Sequence, residues 1–131
     1  MKRHGVLNQP LSSVVAGMGH TDSLVIADAG LPIPQGPERI DLAVRCGVPP
    51  FIETLKALLE ELEVERAVVA RETKEKSPQV HEAIRALLGA VEIQYVDHEE
   101  LKSRTSDARA VVRTGECTPF SNVILYSGVT F

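Results

Sequence analysis

Apolar and polar positions along this chain follow two periods, and each change of period marks an element. Leu11 to Met18 follows Asn8 and Pro10, a good helix cap and a residue suited to the first turn, and Gly17 and Gly19 offer stops. A short helix is predicted there. Ser23-Leu24-Val25-Ile26-Ala27 is a compact apolar run ending at Asp28-Ala29-Gly30, the pattern of a buried strand. Three prolines make residues 31–37 a loop. Ile40, Leu42, Val44 and Cys46 alternate with Arg39, Asp41, Ala43 and Arg45, which predicts a half-buried strand, and Gly47-Val48-Pro49-Pro50 ends it. Phe51, Ile52, Leu55, Leu58, Leu59 and Leu62 form one helical stripe.

The same alternation continues to the C-terminus. Arg66 to Ala70 reads as a strand, and Ser77-Pro78 opens a helix with its stripe at Val80, Ile84, Leu87 and Leu88 and its stop at Gly89. Val91 to Val96 is a strand, and Asp97 caps a further helix with Glu100 placed to answer back. Ala110-Val111-Val112 and Val123-Ile124-Leu125 complete the set. The expected fold is α/β: a single three-layer domain over residues 1–131, with a central sheet of about six strands and helices on both faces.

Composition narrows the function. A chain of 131 residues, 44% hydrophobic and 24% charged, can bury a core without staples. The net charge of −4 argues against a nucleic-acid partner, because affinity for phosphate backbones rests on Lys and Arg. With five Phe and Tyr residues and no Trp, stacking platforms and membrane-interface belts are poorly supplied. No apolar run reaches the roughly 18 residues of a membrane span, and Met1-Lys2-Arg3-His4-Gly5 has no apolar segment behind it, so a cytoplasmic protein is expected. Cys46 and Cys117 are expected to be reduced thiols. There is no P-loop, Cys-x-x-Cys, His-Glu-x-x-His or Gly-x-Ser-x-Gly motif, and Asp22 stands where a dinucleotide fingerprint needs its third glycine. Neither cofactor nor metal is expected.

Four polar positions fall where loops meet the sheet, the usual place for function in α/β folds. His20, in Gly17-Met18-Gly19-His20-Thr21-Asp22, can exchange protons near neutral pH, or it is a turn histidine and no more. Asp28 ends the first buried strand, where a carboxylate either binds ligand hydroxyls or caps the next loop. His98 and Lys102 stand one turn apart on a helix face that meets an acid, a polyhydroxyl ligand or solvent. Thr118-Pro119-Phe120-Ser121-Asn122 leads into the last strand, and the Asn122 amide offers both donor and acceptor to a sugar or to its own turn. His4 falls in a tail and His81 on the polar side of its helix. If residues 23–28 are extended, His20 and Asp28 lie near opposite ends of a strand. They share one small ligand only if the glycine loop folds back or a second subunit contributes.

Residues 2–13, Gly17-Met18-Gly19-His20-Thr21-Asp22 and Ile26-Ala27-Asp28-Ala29-Gly30-Leu31-Pro32-Ile33-Pro34 resemble the N-terminal signature of the D-ribose pyranase family. Arg113-Thr114-Gly115-Glu116-Cys117-Thr118-Pro119-Phe120-Ser121-Asn122-Val123-Ile124-Leu125 resembles its C-terminal signature, and Ile40-Asp41-Leu42-Ala43 and Gly47-Val48-Pro49 also fit. The resemblance implies a cofactor-independent, cytoplasmic isomerase. It would interconvert the β-pyranose and β-furanose forms of D-ribose by acid–base ring opening and closure, in a homodecamer with sites at subunit contacts. It implies His20 as proton donor, with Asp28, His98, Lys102, Phe120, Ser121 and Asn122 binding the sugar. The family commonly has Tyr where this chain has Phe120, so a side-chain hydroxyl is missing there. A mutarotase for fucose or another monosaccharide, and a non-catalytic sugar-binding partner of a transport system, are the alternatives.

Overall fold

The apolar runs become the middle of one six-stranded sheet. The computed structural model describes residues 1–131. In chain order the elements are α1 (Gln9–Gly17), β1 (Ser23–Ala27), β2 (Glu38–Asp41), α2 (Phe51–Leu59), β3 (Val64–Ala70), α3 (Arg71–Lys76), α4 (Pro78–Leu88), β4 (Glu92–Val96), α5 (His98–Arg104), β5 (Ala110–Arg113) and β6 (Val123–Ser127), with a 3-10 turn at Thr105–Asp107. The strands lie in the order β2-β5-β1-β6-β3-β4. All neighbours are parallel except those of β6, which runs against both β1 and β3. One edge of the sheet therefore gathers the C-terminal ends of five strands and the start of β6, and the opposite edge gathers their beginnings.

Because side chains alternate across a strand, the buried strands supply both faces. Leu24 and Ile26 of β1 pack with Leu11, Phe51, Leu55, Leu58 and Ile84 from α1, α2 and α4. Val25 and Ala27 face the other way, onto Leu101 of α5 together with Leu31 and Ala108. This is the three-layer α/β arrangement the sequence predicts. Leu55, Leu58 and Ile84 are fully buried, each contributing about 2 kcal/mol of transfer free energy. The edge strands β2 and β4 turn charged and polar side chains outward, including Glu38, Arg39, Glu92 and Gln94, which discourages pairing with another chain's edge.

Three sequence expectations about the fold need correction, and one helix lies outside them. The strand predicted through Cys46 ends at Asp41, because its only partner, β5, ends at Arg113. Asp41 then accepts from the Ala43 N–H and pairs with Arg113, turning the chain away. The cysteines are not separate thiols: Cys46 and Cys117 are disulfide-bonded, with Cα atoms 5.7 Å apart. Their loops are drawn together by Gly115, whose N–H donates to Pro49 and which has no room for a Cβ against the carbonyl oxygens of Arg45 and Val48. His81 lies inside, 3% exposed, with Nε2 2.7 Å from the Tyr95 hydroxyl. The helix outside them is α3, whose Arg-Glu-Thr-Lys-Glu-Lys has no apolar stripe and buries only Thr73.

Candidate active site

At the edge where most strands end, Asp28 and Asn122 meet. Asp28 follows β1 and Asn122 precedes β6, and the antiparallel pairing of those strands brings the two side by side from 94 residues apart in sequence. The Asp28 N–H donates to Asn122 Oδ1 at 2.9 Å, and Asn122 Nδ2 donates to Asp28 Oδ2 at 3.0 Å. Asp28 Oδ1 accepts from the Gly30 N–H. These contacts fix the orientation of the amide and aim the carboxylate. Asn122 is buried, whereas Asp28 borders an open cleft of about 400 Å³ between residues 28–30 and 116–119. Two other hollows, about 450 and 500 Å³, meet at Tyr95 beside β4 and touch none of the predicted site residues.

The turn after Asp28 is braced from β5. Arg113 Nε donates to the Ala29 carbonyl, the Ala29 N–H donates to Glu116, and the Thr114 hydroxyl donates to Ala27. Glu116, to which the sequence alone gives no role, spans two loops. Its Oε1 accepts from the Phe51 N–H at the start of α2, and its Oε2 from the Thr118 hydroxyl and N–H. Burial works to raise its pKa, but these donors outweigh it and hold the carboxyl below its ordinary value of 4.5.

Phe120 continues the same edge, its backbone in the left-handed region at φ 62°. Its ring meets that of His98 edge-on, with centroids 5.0 Å apart. His98 begins α5, which Asp97 caps by accepting from the Glu100 N–H, and the His98 N–H donates to Glu72. Glu100 does not return the capping bond, because its carboxylate pairs with Arg104. His98 Nδ1 is buried without a hydrogen-bond partner, an expensive condition for a polar atom unless a ligand satisfies it. Lys102 meets an acid from its own helix, Glu99, at 2.7 Å. The Ser121 hydroxyl is fully buried and donates to the Thr118 carbonyl, so it serves the loop itself.

His20 lies at the opposite edge. Its turn is tightly pinned: the Gly19 N–H donates to Asp22, the Thr21 N–H to Ser127, and the Ser127 N–H to Asp22. The imidazole is about half exposed, and its Nε2 lies 2.8 Å from a carboxylate oxygen of Glu65 at the start of β3. Nothing in the sequence marks Glu65, because its partner is 45 residues away and its own strand does not single it out. The glycine loop does not fold back. Within one chain Asp28, Asn122, Phe120 and His98 form one group by direct contact, and His20 stands apart with Glu65. No three His, Cys, Asp or Glu side chains converge in a metal-ligating arrangement.

Comparison with known proteins agrees across the full length. Residues 1–130 match the RbsD / FucU transport protein family. The chain is 59% identical to a D-ribose pyranase of Symbiobacterium thermophilum over 131 residues, all of both chains. It is 51% identical to one of Geobacillus kaustophilus, covering all of this chain and 96% of that one. Among solved structures, Bacillus subtilis RbsD complexed with D-ribose superposes with a TM-score of 0.97 at 47% identity, covering all of both chains. A fucose mutarotase of Streptococcus pneumoniae in complex with L-fucose, 24% identical, shares the fold with a TM-score of 0.85 over 99% of this chain and all of that one.

Proposed function

The chain belongs to the RbsD / FucU transport protein family, and from that premise we propose that it is a D-ribose isomerase, interconverting the β-pyranose and β-furanose forms. The observation that carries the reading is the Asp28–Asn122 pair, joined through Phe120 to the His98 ring, whose buried Nδ1 has no partner, a set of polar groups suited to sugar hydroxyls. Asp28 keeps lone pairs for ring hydroxyls, Asn122 fixes its direction, and Phe120 offers an apolar wall. Lys102 contributes from α5, and Ser121 through the loop it shapes.

His20 supplies the proton. Opening the pyranose breaks the bond between C1 and the ring oxygen: the imidazolium gives its proton to that oxygen while solvent water takes the proton of the anomeric hydroxyl, leaving an open-chain aldehyde. Attack of the C4 hydroxyl on C1 closes the furanose and returns the protons. Groups positioned for such transfers contribute about 10²–10⁴ in rate. Glu65, against Nε2, orients the ring.

Since β1 separates His20 from Asp28, the working site is assembled from two copies. The C-terminal edge of one subunit faces the His20 turn of the next, within a ring-based homodecamer. No helix of the chain is long and apolar enough to cross a membrane. The proposed location is the cytoplasm. Saturation-transfer NMR on D-ribose tests the reading. Exchange between pyranose and furanose signals should accelerate at catalytic protein concentration and return to background with His20→Ala. Ribose binding without faster exchange would mark a sugar-binding partner instead, and faster exchange of L-fucose than of ribose would move the substrate.

A further inference from the structure

The Phe120 backbone has a conformation that needs a cause. At φ 62° an L-residue is disfavoured, by roughly tenfold or more in population, and a bulky side chain gains nothing from the left-handed region that Asn or Gly would. Such a residue persists where its surroundings over-determine it. Here the surroundings are α3 and the start of α4. The Thr73 hydroxyl donates to the Phe120 carbonyl at 2.7 Å, and the Ser77 hydroxyl donates to the Pro119 carbonyl at 2.6 Å. Thr73 is fully buried, the one residue of α3 that is, and Ser77 is 6% exposed, so neither hydroxyl has ready solvent as an alternative partner. The Phe120 carbonyl also accepts from the Asn122 N–H at 3.0 Å, which joins this bond to the Asp28–Asn122 pair. The same helix reaches His98, since Glu72, next to Thr73, accepts the His98 N–H.

A six-residue helix without an apolar stripe thus ties down both rings of the sugar-facing wall. We infer that Thr73 is a positioning residue of the isomerase site, acting through the Phe120 carbonyl to hold the left-handed turn that presents Phe120 and Asn122 to the sugar. This rests on the isomerase reading above. If the hydroxyl served stability alone, its loss would leave the folded enzyme's kinetics unchanged. Positioning instead predicts a binding defect: the wall relaxes, ribose is held less well, and the His20 chemistry on the opposite edge is untouched.

The test is Thr73→Val, which keeps shape and volume, beside Thr73→Ser, which keeps the hydroxyl. Exchange rates are measured by saturation-transfer NMR across a range of ribose concentrations. Thr73→Val should raise KM about tenfold, the effect of one hydrogen bond of ordinary strength, with kcat within twofold. Thr73→Ser should stay near wild type in both. In a Phe120→Gly background, where the left-handed conformation carries no penalty, adding Thr73→Val should change KM less than twofold. An unchanged KM in folded Thr73→Val, failure of Thr73→Ser to restore it, or full additivity with Phe120→Gly would each overturn the inference. If Thr73→Val does not fold, Thr73→Ala removes the same hydroxyl, and an unchanged KM there overturns the inference. Absence of exchange in the wild-type protein would refute the isomerase reading itself, whereas wild-type exchange with an indifferent Thr73→Val refutes only the role of Thr73.

Discussion

Mixing two inactive variants tests the shared site most directly. Five residues of β1 at about 3.3 Å each place the His20 turn and Asp28 roughly 17 Å apart along the strand, whereas a proton donor must come within about 3 Å of the atom it serves. No single chain spans that gap around one sugar. His20→Ala removes the proposed donor from one edge, and Asp28→Asn weakens the proposed sugar contacts at the other, so each variant alone should fall to background exchange. In a head-to-tail assembly every site takes His20 from one subunit and Asp28 from its neighbour. When the two variants are mixed in equal amounts and assemble at random, a site is whole only where an Asp28→Asn subunit supplies His20 and a His20→Ala subunit supplies Asp28. Two independent chances of one half leave about a quarter of the sites intact, so exchange should recover to about 25% of wild type. Co-expression followed by saturation-transfer NMR measures the recovery, and native mass spectrometry verifies that mixed oligomers have formed. Exchange no higher than in the parent variants, in verified mixed oligomers, would refute a site built from two chains.

Two further predictions concern pH and stability. Glu116 has its folded pKa held below 4.5, so its contribution is complete above that value and is lost as pH falls through the lower, folded one. Glu116→Gln should therefore cost about 1 kcal/mol near neutrality, discounted for partial exposure, or about 4 °C in Tm, with a shallower loss below about pH 4.5; thermal melts against pH would contradict this by showing parallel acid limbs. His81 has its pKa lowered from 6.5, chiefly by burial, with Lys74 and Arg85 adding to the shift and Glu82 opposing it, while Tyr95 hydrogen-bonds the ring. The unfolded chain therefore takes up this proton first, and stability falls as pH drops below about 6.5. His81→Gln should flatten urea-midpoint changes between about pH 7 and 5.5, and an unaltered slope would discount His81 as their source.

The parts legible in the sequence are those decided locally. Ser23 to Ala27 reads as a buried strand because all five residues are small or apolar, and Asn8 and Asp97 read as caps because capping needs only the next three residues. Asp28 stands out because a carboxylate closes an apolar run. What escaped was decided by distant partners. Alternation continues past Asp41, but a strand needs a neighbour, and β5 stops at Arg113. His81 has a polar helix neighbourhood, and only the packing of β4 brings Tyr95 to it. Thr73 and Glu65 lie in polar stretches with nothing to distinguish them until Phe120 and His20 arrive from elsewhere in the chain.

In the proposed two-subunit site, the reversed strand β6 holds the His20 turn and the Asp28–Asn122 pair in a fixed relation. At its start, Asn122 locks onto Asp28 where β1 ends. At its finish, Ser127 exchanges backbone hydrogen bonds with Thr21 and Asp22, the turn that carries His20. Between them runs the β1–β6 ladder, with Leu24, Val25, Ile26, Val123, Ile124 and Leu125 fully buried. Interiors packed this closely transmit displacement instead of absorbing it. The spacing and angle between donor edge and sugar edge are therefore set by the stiffest part of the molecule. Two different surfaces held at a constant angle make a heterologous contact, which closes into a ring when the angle divides the circle. Loosening the β1–β6 core, as with Ile124→Ala, should accordingly disturb the assembly and its catalysis together, as loss of oligomer by native mass spectrometry alongside loss of exchange would show.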